Sequence, residues 1–303
     1  MAADLSKVMG HTLPAKPVSW NKRDLLTYAA GVGAKAEDLN VVYDKSFAAL
    51  PTYPVVLPFK GDSQELNLFA ERMMGTPIPG MPKLDPNRVV HGTQSIEIIK
   101  DLPLVSGPGW TMTTKYTGVV ENKSGIILTT ESLLLDPKGT PYAKLYPRAT
   151  STANTSRGRR RARPVPTDRK ADWVVRDQTT KEQALVFRLS GDYNPLHIDP
   201  KIGQGAGFGG VILHGLSTFG FGARAIISAV GGGDPRSLRF FGVRFTSPVK
   251  PGDALQTEAW EVGAGPKGTV EVAFVTRNLT SGKVVLGGGV AFVVKKAGAQ
   301  AKL

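Results

Sequence analysis

Ile212-Leu-His-Gly-Leu-Ser-Thr-Phe-Gly-Phe-Gly-Ala-Arg-Ala-Ile-Ile-Ser-Ala-Val-Gly-Gly-Gly233 carries apolar residues at Leu216, Phe219, Ala223, Ile226 and Val230. That three-to-four spacing predicts an amphipathic helix starting at Leu216, and the triple glycine stops it. Downstream, apolar and polar residues alternate through 254–260, 269–277 and 284–292, the period of half-buried antiparallel strands. A helix followed by such strands predicts an α+β unit in which a curved sheet wraps one buried helix.

Working outward, the first half of the chain reads as a diverged copy. Val89-Val-His-Gly92 stands against Ile212-Leu-His-Gly215, Leu102-Pro103 stands against Ser247-Pro248, and alternation runs through 111–120 and 125–135. Only about ten residues separate Gly92 from Leu102, so the N-terminal helix is expected to be shortened or missing. Residues 151–170 are rich in Ser, Thr, Asn, Pro and Gly, with five arginines between Arg157 and Arg163. They read as a solvated linker, because no aromatic residues are interleaved to stack on bases. The expected organisation is an N-terminal half, 1–150, a basic linker, 151–172, and a catalytic half, 173–303.

Bulk composition narrows the function classes. With 303 residues, 41% of them hydrophobic, the chain has the means for a large core. It has no cysteine, which excludes disulfides, thiolate metal sites and cysteine nucleophiles and suits a reducing compartment. No run of about 18 apolar residues predicts membrane insertion, and residues 1–10 lack a signal-peptide core. The formal charge of +13 favours an anionic partner without choosing one. Ala301-Lys302-Leu303 is one small-residue substitution from the Ser-Lys-Leu peroxisomal address and stands at the C-terminus where an import receptor reads it.

In Gly191-Asp-Tyr-Asn-Pro-Leu-His197, the glycine, the Asp/Asn pair and the proline predict a tight loop. Such a loop brings Asp192 and His197 together, with Asn194 as a hydrogen-bonding strut, and the pair has the means to hold a water and move its protons. An ordinary surface turn with a chance histidine fits the spacing equally well. Gly215 at the helix start weighs toward chemistry, since its N–H would meet a developing oxyanion and it has no Cβ in the way. His214 itself reads as structural. Gly205-Ala-Gly-Phe-Gly-Gly210 has the form G-x-G-x-x-G, but no strand precedes it, so dinucleotide binding is set aside.

Ser190-Gly-Asp-Tyr-Asn-Pro-Leu-His-Ile-Asp-Pro200 and Gly207-Phe-Gly-Gly-Val-Ile-Leu-His-Gly-Leu216 resemble the signature of the hydratase 2 (MaoC-like, R-specific 2-enoyl-CoA hydratase) family. Arg23-Asp-Leu-Leu-Thr-Tyr-Ala-Ala-Gly-Val-Gly33 and Val90-His-Gly-Thr-Gln94 resemble its eukaryotic two-domain peroxisomal members. The resemblance implies a double hot-dog fold and hydration of trans-2-enoyl-CoA to (3R)-3-hydroxyacyl-CoA in peroxisomal β-oxidation. It implies no metal or redox cofactor, CoA being part of the substrate. It maps the catalytic group onto Asp192, His197, Asn194 and Gly215, and substrate contacts onto His91, Gly92, Lys123, Tyr193, Pro195, Leu196 and Phe245. Expected partners are the acyl-CoA, the import receptor and a second copy in a homodimer, with no nucleic acid. Three departures stand out: Gly209-Gly-Val211 where relatives usually have a proline, Thr93 where they usually have Glu, and a long linker. Met73, Met74 and Met81 are candidates to line a channel for medium to long acyl chains beside the short N-terminal helix. Rival readings are a thioesterase on the same fold and a basic nucleic-acid-binding protein.

Overall fold

The computed structural model describes residues 4–43, 45–63, 65, 77–82, 90–122, 125–150 and 163–296. Residues 151–162 of the linker, Lys123, Met73, Met74 and the C-terminal tripeptide lie outside the described residues.

The first half comprises β1 (Thr12–Pro17), α1 (Lys22–Gly31), β2 (Val90–Ile98), β3 (Thr111–Asn122), β4 (Gly125–Leu135), β5 (Pro141–Leu145) and β6 (Arg148–Thr150). The second comprises β7 (Trp173–Gln178), α2 (Gln183–Arg188), α3 (Gly215–Val230), β8 (Leu238–Phe245), β9 (Ala254–Ala264), β10 (Val270–Asn278) and β11 (Val284–Val293). These strands form one eleven-stranded sheet in the order β1-β3-β4-β5-β2-β8-β11-β10-β9-β7, with β6 pairing β2 and β4. The first five places repeat as the last five in reverse, so the halves share one topology and join edge to edge through the antiparallel β2–β8 pair. At the seam Ser95 faces Gly242. A Cβ on Gly242 would lie 2.7 Å from the Ser95 Oγ, so glycine permits the close approach of the two edges.

This topology corrects the register of the internal repeat. β2 is the counterpart of β8, and His91-Gly92 lies within β2 rather than ahead of a helix. The match between His91-Gly92 and His214-Gly215 is therefore a coincidence of sequence. The place that α3 holds in the second half falls before β2 in the first. There, among the described residues, the helical pieces between α1 and β2 are short: one turn at Leu39–Val42, a 3₁₀ turn at Tyr53–Val56 and one turn at Leu57–Lys60. An aromatic cluster fills the interior beside them. Trp20 meets Trp110 edge to face at 4.8 Å and Tyr53 at 6.2 Å, and Tyr28 meets Tyr53 at 5.6 Å. All four rings are buried.

The central helix also differs from the amphipathic one predicted. Every residue of α3 except Gly215, Arg224 and Ser228 is buried. The sheet covers one side, and the C-terminal end of α1, supplied by the first half, covers another. The Ser217 hydroxyl donates to the Gly31 carbonyl at 2.8 Å, and the Gln183 amide of α2 donates to Ala30 and Gly31 at 3.0 and 2.9 Å. These bonds satisfy carbonyls that a helix end leaves without partners. Arg224 spans the same junction, bonding the Val32 carbonyl, Asp38 and Asp177. Among the described residues no helix is long and apolar enough to cross a membrane.

Candidate active site

The loop after α2 is built from two consecutive caps. The Asn194 side chain accepts from the Leu196 N–H at 3.0 Å ahead of Pro195, and the Asp199 side chain accepts from the Lys201 N–H at 2.8 Å ahead of Pro200. Each is an Asx cap followed by proline at the first helical position, which stiffens the loop locally. Gly191 enters it at φ +117°, and a Cβ there would lie 2.6 to 2.9 Å from Lys60 backbone and Cβ atoms of the first half. Only glycine suits that approach. Lys60 is itself buried, with Nζ donating to the Ser19 carbonyl at 2.8 Å and 3.6 Å from Asp24.

Asp192 and His197 are brought together, 7% and 8% exposed, and His214 joins them at 1%. The three offer donor atoms within 4.8 Å of one another, the spacing of a cation site as well as of a proton-transfer cluster. His197 Nδ1 lies 3.0 Å from the Ile212 carbonyl, which can only accept, so this nitrogen carries the proton and Nε2 is left with its lone pair. By the same reasoning His214 Nε2 donates to the backbone carbonyl of Asp192 at 3.0 Å. The two imidazole centroids are 3.8 Å apart. The Asp192 carboxyl receives the Asn194 N–H at 3.3 Å.

Burial sets the proton affinities. It pushes His197 down to about 3, helped by His214 and opposed by Asp192, and it pushes His214 down to about 3 against the bond to the Asp192 carbonyl. The same burial raises the Asp192 carboxyl above the ordinary carboxylate range, with His197 and the Asn194 N–H pulling the other way. Desolvation thus favours a neutral acid beside a neutral base.

Gly215 is the first residue of α3, and helix geometry leaves its N–H without an intrahelical partner. The Phe245 ring lies 3.4 Å from where a Gly215 Cβ would stand, and it meets the His91 ring edge to face at 5.2 Å. Gly92 follows on the same strand. His91 is driven down to about 4, mainly by burial, and its Nε2 has no hydrogen-bond partner among the described residues. Tyr193 is buried against the Arg188 guanidinium at 5.1 Å, while Pro195 and Leu196 sit half-buried on the 3₁₀ turn Pro195–His197. His214 and Lys60 are the participants that sequence reasoning did not place at the site. His214 is legible as a helix-start histidine, whereas nothing in the sequence connects Lys60 to Gly191.

Two family descriptions divide the chain between them: the MFE-2 hydratase 2 N-terminal domain over residues 18–144 and the MaoC like domain over residues 163–283. A probable enoyl-CoA hydratase 2 of Dictyostelium discoideum is 30% identical over 97% of this chain and 97% of its own. The chain belongs to the MaoC-like hydratase family. In Arabidopsis thaliana a relative named peroxisomal enoyl-CoA hydratase 2 is 33% identical, with 93% of each chain covered. Among solved structures, a MaoC-like dehydratase from Phytophthora capsici superposes with a TM-score of 0.85 at 35% identity, covering 98% of this chain and 100% of that one. A Mycobacterium tuberculosis protein described as a double hot-dog fold superposes at 0.57 with 13% identity over 94% of this chain and 95% of its own, a likeness of fold alone. This MaoC-like chain is accordingly a double hot-dog whose two half-sheets are continuous.

Proposed function

We propose that the chain hydrates the double bond of a trans-2-enoyl-CoA thioester to give (3R)-3-hydroxyacyl-CoA, with Asp192 and His197 as its proton-transfer pair. The observation that carries this reading is the convergence, beside the start of α3, of a buried carboxyl and an imidazole whose Nε2 lone pair is available. A water between them loses a proton to His197 Nε2 as its oxygen bonds to C3. The C2=C3 electron pair shifts toward the thioester oxygen, which the Gly215 N–H stabilises, and C2 then takes the proton of the Asp192 carboxyl. Proton return from His197 to Asp192 restores the site. Because the two groups interact closely, they titrate as a unit. Asn194 holds the loop, and His91, Gly92, Lys123, Tyr193, Pro195, Leu196 and Phe245 are assigned to substrate binding.

The finer reading is a medium to long acyl chain, peroxisomal fatty-acid β-oxidation, import through Ala301, Lys302 and Leu303, and a homodimer. Supporting it are the peroxisomal Arabidopsis relative and the exposed apolar Leu185, Leu189 and Ile198 near the loop. The test is to mix purified protein with trans-2-enoyl-CoA of four to sixteen carbons, follow enoyl absorbance and resolve the product enantiomers. The expected result is loss of absorbance with (3R) product and higher kcat/KM for longer chains. Free thiol release without hydration would give the thioesterase reading instead.

A further inference from the structure

We infer that His214 is a positioning residue that holds the Asp192 backbone in register with the oxyanion-binding N–H of Gly215, an inference that rests on the hydratase reading above. His214 precedes α3 and its carbonyl accepts the Ser217 and Thr218 N–H groups at 3.0 and 3.1 Å, so its backbone starts the helix. Its side chain makes no cap bond to the helix. Instead Nε2 reaches back across the site to the Asp192 carbonyl, 22 positions earlier in the chain. One residue therefore ties the group that supplies the carboxyl to the amide that follows it at the helix start.

The same short segment holds the other partner, since the Ile212 carbonyl anchors His197 Nδ1. The His214 ring, 3.8 Å from the His197 ring and wedged by Phe187 at 4.9 Å, also limits how far the His197 imidazole tilts. Residues 212–214 thus fasten both chemical groups of the loop to the start of α3. Without the His214 bond, a buried carbonyl loses its partner at the position where misplacement by about 1 Å costs about a hundredfold in rate.

The charged and titratable groups facing this junction are Asp192 and His197 on the loop and Arg188 on α2. His214 disfavours a proton on His197, which gives the role a second signature. Removing the imidazole raises the proton affinity of His197, whereas removing the hydrogen bond displaces Asp192.

The experiment compares the full chain with His214→Phe, which keeps a ring and loses the donor, and His214→Gln, whose amide nitrogen replaces Nε2. With trans-2-enoyl-CoA, H214F is expected to lose 10- to 100-fold in kcat with KM within about threefold, and H214Q to recover most of that loss. In both variants the acid limb of kcat/KM moves to higher pH. A kcat in folded H214F within threefold of the native value, or equal loss in folded H214Q and H214F, would overturn the proposal. A readout independent of variants and of activity is the ¹⁵N-histidine NMR spectrum of the native protein, which has only four histidines. His214 is expected as the Nε2–H tautomer and His197 as the Nδ1–H tautomer from pH 8 to 5. An Nδ1–H tautomer at His214 removes the bond on which the role depends, even if hydratase activity is found. Absence of hydration by native protein showing the expected tautomers would instead overturn the hydratase reading.

Discussion

Asp192 and His197 share one loop, and burial moves their proton affinities in opposite directions. In the proposed mechanism Asp192→Asn removes the proton for C2 and His197→Ala removes the base, so each is expected to lower turnover about 10²- to 10⁴-fold while folding is retained, checked by kcat and circular dichroism. The sign of the pH dependence follows from the shifts. His197 is depressed, so it keeps its lone pair as the pH falls through the ordinary histidine value of about 6.5, and activity declines only at lower pH. The Asp192 carboxyl is raised, so the alkaline limb, where it ionises, lies above the ordinary carboxylate range. An acid limb at 6.5 or higher in native kcat/KM would contradict the assignment. Gly191→Ala tests the entry to the same loop. At φ +117° a side chain is strained, and its Cβ would meet Lys60 backbone at 2.8 to 2.9 Å. A destabilisation of about 1–3 kcal/mol, seen in urea unfolding and accompanied by lower kcat, is the expected outcome.

Among the elements, α3 is tightly confined on the face covered by the first half. A Cβ on Gly220 would run into the Val32 side chain and come within 3.2 Å of the Tyr28 hydroxyl. Gly→Ala inside a helix gains about 1 kcal/mol of propensity, whereas overpacking a close contact costs about 1–3 kcal/mol. Packing should win, because Val32 and Tyr28 are both fully buried and have little room to yield. Gly220→Ala is therefore expected to lower Tm by several degrees; a rise in Tm would show that the contact relaxes freely. The element-scale error in the sequence reading has the same origin. The polar-looking places on α3 are small residues that admit α1, so its apolar stripe understates its burial.

At the scale of the whole molecule, the halves are joined along β2–β8 and again where α1 covers α3. Residues 163–303 expressed alone would expose the β8 edge and the apolar side of α3, both hazards for association. Such a fragment is expected to aggregate on size-exclusion chromatography and to become soluble when co-expressed with 1–162. A soluble monomeric fragment would show that the halves are independent. Localisation also belongs to this scale. On the import reading proposed above, removing Ala301-Lys302-Leu303 is expected to leave hydration unchanged and to turn a punctate cellular distribution diffuse; a distribution already diffuse in the full chain would overturn that reading.

By itself the sequence determined the α+β class, the two-fold repeat of strands, the central helix with its glycine stop, and the loop that carries Asp192, Asn194 and His197. These follow from local periodicity and from the turn chemistry of Gly, Asn, Asp and Pro, which act over a few residues and are written directly in the chain. Only the tertiary structure decided that His91-Gly92 belongs to a strand, that α1 covers α3, that Lys60 abuts Gly191, and that His214 bonds the Asp192 carbonyl. Each depends on groups brought together across tens to hundreds of residues, and a contact of that kind leaves no periodicity in either segment. The raised carboxyl and the depressed imidazoles belong with these, since burial on every side, rather than residue type, sets their proton affinities.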